Sequence, residues 1–410
     1  MLGLSRWTDA GGSYRTVQRW FYTVIPWAQV FWLFFRQQLF RAADVYVLAG
    51  DEVVVTKAGH HTYGLDRFFS GLLKKPVSGI AFFALSLVST TERRAFPIQL
   101  EQVLRRAAVP VTAQPHSASE QTPSLKRRVG RPTGSQNRNK TAVDLSPELQ
   151  RIQTMVQTLL RLGSGMLSLT YLALDGHFGN NAALQMTRQC GLQLISKLRA
   201  DSALYLPYAG AQLRTGARRQ YGDKIDYRNL PAALLTQTSV EAELETRSYH
   251  GRLLHKEFAQ ALNVVILVKC NLKTHAWAHV VLFSSDPSLN AEQLIAYYSL
   301  RFQIEFNFRD AKQYWGLEDF MNVSQTAVTN AANLSLFMVN VAQRLVNDFR
   351  MEQPLFSVLD LKAFYRGCKY VSETIKMLPQ KPDANFIVQL LRQLTALGRV
   401  HAADAPLPSP

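Results

Sequence analysis

The run Leu167-Ser-Leu-Thr-Tyr-Leu-Ala-Leu-Asp175 reads as a buried strand that stops on a carboxylate. Helical texture follows from Asn181 to Cys190, and a second apolar strand spans Leu192 to Leu198. Strand, helix and strand in that order make a β-α-β unit, whose crossover helix must pack back on the sheet it leaves. No other part of the chain constrains the fold as much. It points to an α/β protein, and the strands elsewhere make the sheet a mixed, α+β one.

A second β-branched run, Val45-Tyr-Val-Leu-Ala-Gly-Asp51-Glu-Val-Val-Val-Thr-Lys57, carries an aspartate in its middle. Gly79 to Val88 repeats the texture beyond a loop containing Gly59, Gly64 and Gly71, so two adjacent strands are expected. Ser146 to Leu162 reads as a helix, and the stretch from Ala203 to Ser285 as β-rich. Its clearest strands, Asn263–Lys269 and Ala276–Phe283, form a hairpin turning at Asn271 and Lys273. Asp286-Pro287 and Asn290 signal the start of another helix, and one more runs from Thr326 to Arg350. The long apolar run Trp20–Phe35 contains Thr23, Pro26 and Gln29, too short and broken to span a bilayer, and reads as a buried helix.

Hydrophobic residues make up 47% and charged residues 19%, the balance of a globular chain. The 46 Lys and Arg outnumber the 30 Asp and Glu, a formal charge of +16, which suits a polyanionic partner; nucleic acid fits better than a membrane. Met1 leads directly into Ser5-Arg6-Trp7 with no secretory signal, and Cys190, Cys270 and Cys368 are isolated. They read as core residues of a reduced, cytoplasmic protein.

Tyr298, Arg301, Glu305 and Lys312 fall at helical spacings. At 100° per residue their side chains share a stripe about 60° wide on a single helix, setting one carboxylate between two cations and a phenol. A solvated Arg-Glu pair with a distant lysine would give the same spacing. Asp51 and Asp175, taken singly, suit strand-end turns or caps; as carboxylates in apolar strands they need a partner, and a divalent ion is one.

With Glu305 following on a helix, the chain resembles the bacterial insertion-sequence DDE transposases, in the branch marked by a Tyr-Arg-Glu-Lys signature. All four signature positions match, and Asp51-Glu52-Val-Val-Val-Thr56-Lys57-Ala-Gly59 with Arg67-Phe-Phe-Ser-Gly71 looks like the family's region around its first aspartate. The resemblance covers residues 14 to 350. It implies an RNase H-like catalytic core holding Asp51, Asp175 and Glu305 around two Mg²⁺ or Mn²⁺ ions. It also implies phosphate contacts from Tyr298, Arg301 and Lys312, a β-rich insertion, and paired DNA ends on a homodimer. Cut-and-paste members pass through a DNA hairpin with an extruded base stacked on a tryptophan of the insertion; Trp277 is the counterpart, unless it is a core residue.

The expected organisation is a helical DNA-binding segment over residues 1–43, a core built from 44–111 and 146–200, an insertion at 201–286, core helices at 287–350, and a C-terminal region, 351–410, with a dimerisation role and a loose tail. Residues 112–145 read as a disordered basic linker. Within it Lys126 to Lys140 carries six cations and no acid, and Gly130-Arg131-Pro132 beside Arg127 and Arg128 looks like an AT-hook with Val129 in place of the usual arginine. A solvated loop has the same composition. Ser13 caps a helix exposing Arg15 and Arg19, which suits either a DNA groove or an ordinary amphipathic surface. Among the histidines, none at metal-ligand spacing, His177 could orient a metal-bound water or a phosphate. The function expected is a transposase that cleaves element ends and joins them to target double-stranded DNA in the bacterial cytoplasm, at the nucleoid. A catalytically inactive DNA-binding descendant and an RNase H-like nuclease without strand transfer are the alternatives.

Overall fold

The computed structural model describes residues 7, 12–71, 74–105 and 139–401. Arg127, Arg128 and Arg131 lie outside the described residues. The end of the expected linker does not: Asn139 accepts from the Thr141 backbone at 3.0 Å, and the Asn181 amide donates to the Lys140 carbonyl at 2.7 Å.

The chain enters through α1 (Tyr14–Tyr22), capped by Ser13, and α2 (Trp27–Phe34). The apolar run is therefore not one helix; it breaks before Pro26, which disfavours the α conformation in its predecessor and stands at the N-cap of α2. Four strands follow: β1 (Tyr46–Thr56), β2 (Asp66–Ser70), β3 (Lys75–Ser89) and β4 (Arg94–Val103). β1 pairs antiparallel with β3 in a register that sets Asp51 opposite Ala84, so the two expected strands are neighbours. β4 extends the meander with a bulge opposite Leu85 and Ser86, where Pro97 is accommodated.

The β-α-β unit is present, with β5 (Tyr171–Ala173), α4 (Asn181–Gln189) and β6 (Gln193–Leu198) following helix α3 (Pro147–Leu162). β5 is parallel to both β1 and β6. It is far shorter than the apolar run, because only three residues meet ladder partners before the chain turns at Asp175.

The segment expected as an insertion supplies β7 (Leu204–Pro207), β8 (Tyr221–Lys224), β9 (Leu235–Glu241), β10 (Leu244–His255), β11 (Leu262–Asn271) and β12 (Trp277–Ser284). β12 pairs antiparallel with β6, so the main path of a 12-stranded sheet runs β2-β3-β1-β5-β6-β12-β11-β10-β7-β8. Asn271 accepts from the backbone of Lys273 and Thr274 at the β11–β12 turn, as its sequence signal implied.

Five helices complete the chain: α5 (Ala291–Arg301), α6 (Gln303–Trp315), α7 (Gln325–Arg350), α8 (Val358–Met377) and α9 (Ala384–Ala396). The region after Asn385 is thus helical through Ala396 rather than loose. Side chains of β1 alternate between faces. Leu48 packs with Ile152 and Met155 of α3, while Val53 and Val55 pack with Ile304 and Phe308 of α6. Helices cover both faces, and each buried Leu, Val or Phe stabilises this sandwich by about 1.5–3 kcal/mol. The cysteines are all partly buried rather than fully enclosed, and Cys190 packs against the main core. No helix among the described residues is long and apolar enough to cross a membrane.

Candidate active site

Asp51 lies on the β1 face shared by Ala49 and Val53, the face that receives α5 and α6. Ala49 packs against Leu300 of α5, and Val53 against Ile304 of α6. Two neighbouring positions of one strand thus dock two helices, and the helix expected to be continuous from Tyr298 to Lys312 is interrupted at Phe302. The junction is tightened: Phe302 N donates to Ser299 O at 3.2 Å and Glu305 N to Phe302 O at 3.1 Å. Tyr298 and Arg301 therefore end α5, whereas Glu305 and Lys312 lie on α6.

Arg301 joins the two acids at this junction. Its Nη1 donates to Asp51 Oδ2 at 2.5 Å, and its Nη2 stands 3.5 Å from Glu305 Oε1. The guanidinium is 12% exposed and its Nε is buried with no partner among the described residues. The Tyr298 ring lies 5.8 Å from the guanidinium carbon. Lys312 points elsewhere: its Nζ donates to the Val54 carbonyl at 2.9 Å and pairs with Glu318 at 2.8 Å, tying α6 to the end of β1.

Asp175 stands just past β5. Its carboxylate accepts from the His177 backbone at 3.1 Å and caps a 3₁₀ turn, while the Ser196 hydroxyl donates to its carbonyl at 2.7 Å. The turn lies flat on β6. A Cβ on Gly179 would come within 2.1 Å of the Lys197 carbonyl, so only glycine permits this approach. His177 turns toward Glu148, 3.5 Å away.

Asp51 and Asp175 line one cleft of about 670 Å³ together with Glu52, Glu148, Arg105 and Arg151. Burial raises the pKa of Asp51; Arg301 and the Glu52 backbone N–H oppose the rise, and the charge of Asp175 adds to it. Glu305 is raised by burial and then by the charge of Asp51. The three carboxylates are therefore linked in pairs through the cleft, the arginine and their mutual repulsion. Among the described residues no three His, Cys, Asp or Glu side chains stand close enough to hold one metal ion. As hard oxygen donors under mutual repulsion they suit a divalent cation in kind and charge, and Arg301 is the counterion between two of them.

The remaining expected DNA contacts are dispersed. Arg15 and Arg19 are exposed on α1. Trp277, at the start of β12, is 41% exposed and not a core residue; it stacks on His279 at 5.3 Å, which stacks in turn on Tyr227 at 4.4 Å. Sequence reasoning missed Tyr227, His279, Arg151 and Glu148 at these places. Only the alternation of Trp277 and His279 along one strand could have signalled any of them.

A search of the curated proteins finds no match to the chain. The family model of the DDE superfamily endonucleases matches residues 1–256, a span that includes Asp51 and Asp175 and stops short of Glu305. Matched over more than half its length, with its first two acids inside the matched span, the chain belongs to the DDE superfamily endonucleases.

Proposed function

We propose that the protein is a transposase of the Tyr-Arg-Glu-Lys branch that cleaves the ends of an insertion sequence and joins them to target DNA, with Asp51, Asp175 and Glu305 as its catalytic carboxylates. The observation that carries this reading is Arg301, which bridges the carboxylates of β1 and α6 although Asp51 and Glu305 lie far apart in sequence. A buried guanidinium between two acids keeps them from separating, and its positive charge favours a phosphate brought against that junction. Tyr298, beside Arg301, offers a phenol to the same phosphate. Mg²⁺ or Mn²⁺ ions, two per site, would supply activation of water or a DNA 3′-hydroxyl and charge stabilisation of the leaving oxygen. No side-chain nucleophile is then needed, and the residues' own tasks are to hold the acids and to position the phosphate.

Trp277 fits the stacking of an extruded base, since the residue is 41% exposed, and stacking of this kind is worth about 1–3 kcal/mol. Lys312, with two of its three N–H donors directed to Val54 and Glu318, keeps one for a phosphate. Arg15 and Arg19 on α1, with Arg127, Arg128 and Arg131, supply duplex attraction. The reading extends to two copies acting on paired ends in the bacterial cytoplasm.

The test is cleavage of labelled end DNA with Mg²⁺ or Mn²⁺, followed by a strand-transfer assay. Asp51→Asn and Glu305→Gln should each lower cleavage by on the order of 10³-fold or more while binding persists. Binding by wild type without cleavage under any metal condition favours the inactive descendant. Cleavage that never leads to joining favours the simple nuclease.

A further inference from the structure

The loop between β7 and β8 is a built feature that none of the assigned roles uses. Residues 208–220 carry three arginines and no acid, and residues 211–220 are all exposed. An exposed basic loop of ordinary kind would lack internal bonds, but this one is held closed at its base. The Gln212 side chain bonds both backbone groups of Arg219, donating to its carbonyl at 2.8 Å and accepting from its N–H at 2.9 Å. Arg219 donates through Nε to Tyr221 O at 3.1 Å and lies over the Tyr208 ring at 4.5 Å. Gly216, at φ +95°, turns the tip, which presents Leu213, 86% exposed, between the base and Arg214. Arg214 and Arg218 make no ion pair among the described residues.

We infer that this β7–β8 arm binds the backbone of duplex DNA, with Arg214 and Arg218 on phosphates and Leu213 against the groove. Charge complementarity selects the partner: an all-cationic, preformed finger suits a surface with one negative charge per few ångströms. From β5, which ends at Ala173 just before Asp175, to β8 the sheet path takes six inter-strand steps of about 4.8 Å, or about 29 Å, so the arm and the acids belong to one sheet but to separate parts of it. This inference rests on the reading of the protein as a DNA-cleaving enzyme, but its test does not require cleavage.

The test uses fluorescence anisotropy of a labelled duplex with the full chain in EDTA, over a salt series. Arg214→Ala/Arg218→Ala should bind about 10-fold more weakly near physiological salt, with the slope of log K against log[salt] reduced by about 2. Arg214→Lys/Arg218→Lys should recover the slope. Hydroxyl-radical protection of the duplex backbone should be weaker with the alanine variant than with wild type. Thermal unfolding of the alanine variant at the wild-type temperature excludes loss of fold as the cause. Unchanged affinity and slope for duplex DNA would overturn the inference, as would a defect confined to RNA or to single strands. Failure of wild type to cleave, with the arm's salt effect intact, would overturn the enzymatic reading and leave the arm standing.

Discussion

At the scale of residues, Asp51 decides what the site tolerates. Burial is the largest influence on it and favours the protonated acid; Arg301 and one backbone N–H work against that, and Asp175 works with it. The balance is a raised pKa. A carboxyl whose folded-state pKa lies above its unfolded value contributes its stability at low pH and loses it as pH rises through the folded value. At neutral pH the ionised acid is therefore a destabilising element, as is Glu305 beside it. Asp51→Asn should consequently melt at a higher temperature than wild type at pH 7 in chelator, and adding Mg²⁺ should raise the melting temperature of wild type more than that of the variant. A lower melting temperature for the variant in chelator would show that the Arg301 pair outweighs burial.

Among the elements, α8 and the C-terminal residues show the opposite electrostatic sign. Asp360 is wholly buried. Burial alone would raise its pKa, but hydrogen bonds from Ser357 and His401 outweigh it and hold the carboxyl far below the usual range. Its Oδ2 accepts from Ser357 N at 2.9 Å in a capping box, and its Oδ1 accepts from Val400 N at 2.6 Å, so one carboxylate both starts α8 and pins the chain beyond α9. A depressed pKa contributes stability above the unfolded value near 3.8, and that contribution fades as pH falls below it. Asp360→Asn should cost about 1–3 kcal/mol at pH 7, because the amide cannot accept all of these bonds. The gap between the melts of variant and wild type should begin to narrow once pH falls below about 3.8 and continue to narrow below 3; a constant gap would locate the effect in packing instead. The helix starts at Ser13 and Asn290 were legible from sequence for a local reason: each side chain bonds a backbone N–H three residues on. The break at Phe302 was not, because helical spacing alone favours one continuous helix. Leu300 and Ile304 dock on different residues of β1, and that contact imposes the break.

For the molecule as a whole, stability is graded along the sheet. β1 and β3 are buried between helices, whereas β9 is almost wholly exposed and pairs only with β10. Hydrogen exchange should be slowest in the central residues of β1 and β3 and fastest in β9 and the β7–β8 arm, by several orders of magnitude. Equal protection across the sheet would show a single cooperative unit. This gradient sets a rigid end, which carries Asp51 and Asp175, beside an exposed, arginine-bearing end.

The sequence by itself determined the α/β class, the β-α-β unit, the hairpin at Asn271, and which acids and cations merited attention, because apolar periodicity and turn chemistry are local. Tertiary structure alone decided that Arg301 reaches Asp51 across the chain, that Lys312 is engaged by Val54 and Glu318, that Trp277 is exposed within a stack of rings, and that β7–β12 join the core sheet. The physical reason is that an ion pair or a shared ladder depends on where helices and strands dock. Docking is fixed by buried surfaces contributed from distant segments, and no spacing along the chain records it.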